Sequence, residues 1–232
     1  AEISDFKELT ARLSKKPADG AITKAMVAVK DADGNKVDVE DVTVNKSTVK
    51  IKTAKKLAVT GKYTIEIEGM GSQTAIAGAL VRTDAFDKAY AYDGDDLGAT
   101  FKEARTGFKV WAPTATKVEL VIYKSTDPNA EVDKTIDMTG EDKGVWSATV
   151  KKLASGTAYS YKLTFADGTV NTSSDPYVTA AVANGERSVV LSKEDMGSAG
   201  KRMPAFGKTT DATIAEMNIR DFSINPNSGI SA

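Results

Sequence analysis

The stretch FKVWAPTATKVELVIY, Phe108 to Tyr123, decides the fold of its half of the chain. Apolar and polar residues alternate at its start, Pro113 breaks the run, and alternation resumes toward Tyr123. A period of two on both sides of a turn is the pattern of two strands, each with one face in a core. Phe108, Trp111 and Val118 read as the core side, because large aromatics dominate the cores of small sandwiches. Downstream, TDPNAEVD is a loop, Val145–Lys151 a strand, ASGT a turn and Tyr159–Phe165 a strand closed by the ADGT turn. Val189–Leu191 ends the series. These elements predict a β-sandwich over residues 93–192.

Upstream the same rhythm recurs. Leu9, Ala11 and Leu13 alternate, then Ala25, Val27 and Val29 before the turn DADGN at Asp31–Asn35, and Val49, Ile51, Tyr63, Ile65 and Ile67 continue it. AIAGALVRTDAF, ending at Phe86, reads as a last strand. This predicts a first sandwich over residues 1–92, with the acidic, glycine-containing YDGDDLGAT (Tyr92–Thr100) at the boundary. Residues 193–212 carry Gly197, Gly200, Pro204 and Gly207 and read as a linker. After it, TIAEMNIRDFS (Thr213–Ser223) is an apolar run that reads as a strand without a partner, opening a further unit at 213–232. The expected class is therefore all-β: two tandem immunoglobulin-like sandwiches and one orphan strand.

Composition excludes several kinds of chemistry. The 232 residues contain neither Cys nor His, so disulfides, zinc centres, Ser-His-Asp triads and Cys-His dyads are impossible within them. A net charge of −1 with scattered lysines lacks the basic patch of a nucleic-acid binder. No apolar run approaches the roughly 18 residues that a bilayer span needs. The first residues, AEISDFKELT, do not read as a signal peptide. No cofactor motif is seen. Asp31, Asp33 and Asn35 begin like a calcium loop, but glycine comes at the fourth position instead of the sixth and Val42 stands at the twelfth, so a hairpin turn is expected. Asp93, Asp95 and Asp96 read as a boundary turn, and no metal site is expected there.

FKVWAPTATKVELVIY, the GVW at Gly144–Trp146, YSYKL at Tyr159–Leu163 and DPY at Asp175–Tyr177 together resemble the family-48 carbohydrate-binding modules. YDGDDLGAT before them, and RMPAF and TIAEMNIRDFS after them, narrow the resemblance to starch-debranching enzymes of the type I pullulanase family, glycoside hydrolase family 13. Asn218 departs from that pattern, since many relatives carry His there. The resemblance implies that the strand at 213–223 is the first of a catalytic (β/α)₈ barrel. It also implies that the nucleophilic Asp and the acid Glu of such glycosidases lie on later strands, outside these residues.

The expected role is non-catalytic: accessory modules whose partner is the enzyme's own barrel, with α-glucan contact secondary. An independent α-glucan-binding module and a structural cell-surface array are the alternatives. The resemblance further implies an extracellular or cell-surface setting, while the cytoplasm stays open. For sugar contact the candidates are Trp146 and Lys162. Trp146 follows a polar approach to a strand and reads either as core or inter-module packing or as a ring for sugar stacking. Lys162 matches a lysine of the glycogen-binding surface in related modules. The tryptophan that follows the Asp-Gly turn in those modules is replaced here by Thr169 and Val170 after Asp167 and Gly168, and the earlier loop offers Tyr123 and Lys124 instead.

Overall fold

The computed structural model describes residues 1–198, 200, 204–205, 207–225 and 227–229. Residues 1–196 form one compact unit and residues 197–232 a second. Arg202, Met203 and Phe206 of the RMPAF motif lie outside the described residues.

The first module contains β1 (Glu2–Asp5), β2 (Glu8–Arg12), β3 (Val27–Lys30), β4 (Lys36–Val37), β5 (Val39–Asn45), β6 (Thr48–Thr53), β7 (Tyr63–Ile67) and β8 (Gly71–Ala77). The alternation read from sequence is visible in β6, where Val49, Ile51 and Thr53 point inward and Lys50 and Lys52 outward. The eight strands form a single sheet, in the order β4-β3-β7-β8-β1-β2-β6-β5, instead of the two separate sheets expected of a sandwich. The cause is β1, which pairs antiparallel with β2 and parallel with β8, so the hydrogen-bonded path never breaks. The two edge strands, β4 and β5, are separated only by Asp38, which brings both edges to one corner and nearly closes the sheet. Ile3, Leu9, Val29, Val49, Ile51 and Ile65 fill its interior.

The strand expected to end at Phe86 stops at Ala77. After a 3₁₀ turn at Ala79–Arg82 comes a helix, α1 (Asp84–Tyr90). Thr83 caps it, its Oγ1 accepting from the Phe86 N–H at 3.2 Å, and Asp84 and Asp87 lie in the first turn, where the helix dipole favours negative charge. Phe86 is buried against the core of the first module.

The second module has two antiparallel sheets facing each other across one core. One runs β13-β14-β10-β9, from Thr139–Gly140, Val145–Lys151, Arg105–Trp111 and Gly98–Thr100. The other runs β12-β11-β15-β16, from Val132–Asp137, Ala115–Tyr123, Ala158–Phe165 and Val170–Ser173, with β17 (Ser188–Val189) joined to the start of β15. Phe108, Val118, Leu120, Ile122, Tyr159 and Tyr161 form the core. Phe108 and Tyr159 meet edge to face with centroids 5.0 Å apart, an arrangement worth about 1 kcal/mol beyond the area it buries.

The orphan strand is not formed. Residues 212–218 have no regular structure, and Ile219–Ser223 form a short helix, α2, capped by the Asn218 side chain accepting from the Arg220 N–H at 3.0 Å. A parallel strand needs neighbours on its edges to satisfy its backbone, whereas a helical turn closes some hydrogen bonds within its own segment, here Phe222 N–H to the Asn218 carbonyl and Ile224 N–H to the Arg220 carbonyl. Ile219 and Phe222 remain 82% and 66% exposed.

Candidate functional site

Trp146 and Lys162 are not brought together. Trp146 lies on β14 with its ring on the inner face, beside Ala148 and opposite Val110, half-buried against the core. Its Nε1 donates to the Ala112 carbonyl at 3.2 Å, so one edge of the indole is already engaged. Lys162 sits on the outer face of the opposite sheet, between Glu119 on β11 and Thr172 on β16. There its Nζ lies 3.2 Å from Glu119, which also takes Lys117 at 2.9 Å, and Lys117 in turn reaches Asp137 at 2.8 Å. Lys117 first, and then Lys162, hold the Glu119 carboxyl below the usual carboxylate range. Lys162 is thus part of an ion ladder, with the core and the opposite sheet between it and Trp146.

The other positions singled out from sequence are likewise engaged. Tyr123 carries the Arg187 guanidinium 3.6 Å above its ring and shares a hydrogen bond with Ser160, and Lys124 pairs with Glu131 at 2.6 Å. Asp167 accepts from the Thr169 N–H at 2.9 Å in the β15–β16 turn. Asp31 accepts from the N–H groups of Asp33 and Asn35 at 3.0 and 2.8 Å, which makes DADGN a hairpin turn between β3 and β4. Among the described residues no group of three or more acidic side chains is placed to hold a metal ion.

Trp111 does not lie in the core. Phe108 and Val110 face inward, so Trp111, one residue on, faces outward by the alternation of the strand and is 42% exposed. Its indole meets Phe86 of α1 edge-on at 6.3 Å, and Nε1 donates to the carbonyls of Tyr90 at 3.0 Å and Lys143 at 3.1 Å. Tyr90 stacks on Phe86 at 4.8 Å. The outward face of β10 is therefore where the second module grips the helix of the first.

Beside this contact is a notch of about 310 Å³ lined by Asp87 and Tyr90 of α1 and by Ala91, Tyr92, Leu97, Trp111 and Tyr177. The Tyr92 hydroxyl donates to Asp96, which Lys109 also contacts at 2.7 Å; Lys109 first, then Tyr92, keep the Asp96 carboxyl below its ordinary range. Tyr177 is 57% exposed, but its backbone is pinned: its N–H donates to Asp175 Oδ1 at 2.8 Å. Asp175 is itself buried and accepts from the Tyr159 and Tyr161 hydroxyls at 2.7 and 3.0 Å, while its N–H donates to Ser188 Oγ at 2.7 Å. Gly98, with φ +94°, lets Tyr177 approach; a Cβ there would stand 3.0 Å from that of Tyr177.

Comparison with known proteins places these features. The family described as Carbohydrate-binding module 48 (Isoamylase N-terminal domain) matches residues 96–178. The chain is 39% identical to the pullulanase of Bacillus subtilis (strain 168) over 153 residues, which are 66% of this chain and 20% of that protein. With pullulanase A of Streptococcus pneumoniae (serotype 4) it shares 28% identity over 218 residues, 83% of this chain and 16% of the relative. Among solved structures, the pullulanase from Anoxybacillus sp. LM18-11 covers the whole chain with a TM-score of 0.75 and 30% identity, using 33% of that structure. The pullulanase from Bacillus acidopullulyticus agrees in fold at a TM-score of 0.82, with 20% identity, 100% of this chain and 42% of that one covered. The second module is a carbohydrate-binding module of family 48. The chain belongs with the pullulanases, as their module-48-bearing N-terminal part, and its matches span about one fifth of the length of the curated relatives.

Proposed function

We propose that this chain is a non-catalytic accessory part of a longer pullulanase-like enzyme that hydrolyses α-1,6-glucosidic bonds in pullulan, starch or glycogen. Its main task in this reading is to support the catalytic barrel. The observation that carries the reading is the grip of Trp111 on α1, through Phe86 and Tyr90, which joins the two modules in one compact body. A body of that kind suits a scaffold. The separation of Trp146 from Lys162 favours support over glucan capture at those two residues. From the family resemblance we place the parent enzyme outside the cell or at its surface; recovery of its activity only from the cytosol would contradict that placement.

The test compares release of reducing sugar from pullulan by three proteins: this chain, the longer enzyme, and the longer enzyme lacking residues 1–196. The chain alone is expected to release none, and the truncated enzyme to work less well or to lose activity sooner on warming. Pullulan cleavage by the chain alone overturns the division between scaffold and catalyst.

A further inference from the structure

We infer that the notch walled by Tyr92, Trp111 and Tyr177 is a binding subsite for an α-glucan, holding one or two glucose units. This rests on the reading above for the class of sugar, and on the geometry of the notch for the place. A glucose ring offers C–H groups on its faces and hydroxyls around its rim, so its receptor needs open aromatic faces with hydrogen-bonding groups at the edge. The notch has both. Trp111 and Tyr177 keep 42% and 57% of their surface open, and the Trp111 N–H is already spent on two carbonyls, which leaves its face as the part it can offer. Asp87 lies on the rim, and Asp96 and Lys109 hold Tyr92 in place beside it.

Rigidity favours the same conclusion. Tyr92 is tied through its hydroxyl to Asp96 and Trp111 through its indole N–H to α1, so those two side chains have little freedom left to lose when a ligand is ordered, and the backbone that carries Tyr177 is fixed to the buried Asp175. At about 310 Å³ the notch is at the small end of the ~300–1,000 Å³ range of small-molecule sites, which limits the ligand to a short end or turn of a chain and points to weak binding. Nothing comparable surrounds Trp146, whose ring lies against the core, or Lys162, which is held in its ion ladder.

The experiment is a titration of the whole 232-residue chain, ¹⁵N-labelled, with maltotetraose to about 10 mM, tenfold above a Kd of about 1 mM. The chain has two tryptophans, so its spectrum has two indole N–H signals, which a Trp146→Phe or a Trp111→Phe variant assigns. The inference expects the Trp111 signal to move and Tyr177→Ala to weaken binding about tenfold, with the rest of the spectrum showing the variant folded. Movement of the Trp146 signal alone overturns the notch while leaving α-glucan association in place. No movement overturns the inference but not the supporting role, which is measured by pullulan hydrolysis. Equal movement with cellotetraose overturns the α-glucan assignment. A Tyr177→Ala variant that is folded and binds maltotetraose normally assigns the face to another contact and overturns the inference as well.

Discussion

Trp111 donates its indole N–H to the carbonyl of Tyr90 across 3.0 Å, linking a strand of the carbohydrate-binding module to the last turn of the helix before it. One side chain thereby fixes how the two modules meet. Trp111→Ala removes that bond, the bond to Lys143 and the edge contact with Phe86. Truncating a fully buried aromatic costs roughly 3–5 kcal/mol; with 42% of this one exposed, a loss of about 2 kcal/mol is expected. Urea unfolding of the chain measures it, and a loss below about 0.5 kcal/mol, the ordinary range of surface substitutions, would show that the contact is idle.

Asp175 is the buried group on which the DPY segment hangs. Asp175→Ala strands the hydroxyls of Tyr159 and Tyr161 and frees the backbone of Tyr177. Hydrogen bonds to a charged group contribute about 1.5–3 kcal/mol each, so a destabilisation of about 3 kcal/mol or more is expected. The same denaturant series measures it. Asp175→Asn should recover part of the loss, since the amide oxygen still accepts; equal losses for the two variants would point to packing as the cause.

Burial first, and then the Asp175 charge, raise the Tyr159 and Tyr161 hydroxyls above their usual value of 10.0. A group whose pKa is higher in the folded state contributes stability that is complete below its unfolded value and is lost as pH rises above it. The chain should therefore be insensitive to these groups below about pH 10 and unfold progressively above it. Denaturant midpoints from about pH 8 to about pH 12 measure the effect. The Tyr159→Phe/Tyr161→Phe variant should start lower, through the loss of two donors to Asp175, and fall less steeply in the alkaline range. An unchanged alkaline slope would contradict the assignment.

Gly144, with φ +74°, stands where a Cβ would collide with the backbone of Pro113 at its Cα. Backbone atoms cannot yield as a flexible side chain can, so Gly144→Ala should lower the melting temperature by an amount corresponding to at least ~2 kcal/mol. Gly107, on β10, has open space around the same position, and Gly107→Ala should change the midpoint little. Comparable shifts for both would contradict the steric argument.

The legible part of the fold was the part written in period two. The strands around Phe108–Tyr123, Val145–Lys151 and Tyr159–Phe165 follow from alternation and turns, and Phe108, Val118 and Tyr159 are in the core. The single curled sheet was hidden because it depends on the parallel pairing of Glu2 and Ile3 with Ile76 and Ala77, a contact between distant segments that no local pattern encodes. The seven-residue helix was masked by its length, although Thr83, Asp84 and Asp87 carry an N-terminal signal in retrospect. Trp111 departs from the expected core position for a simpler reason. Strict alternation from Phe108 and Val110 sends it outward, but its size suggested a core residue. The notch is not legible in the sequence because its walls come from the YDGDDL boundary, the end of α1, Trp111 at the end of β10 and the DPY segment, which only the folded chain brings together.

The most direct test of the supporting role is the half-life of pullulan-hydrolysing activity on heating, for the longer enzyme with and without residues 1–196. A markedly shorter half-life after deletion, reproduced in milder form by Trp111→Ala in the intact enzyme, is the result the proposal predicts. Equal half-lives and equal initial activities for the intact and truncated enzymes would contradict it.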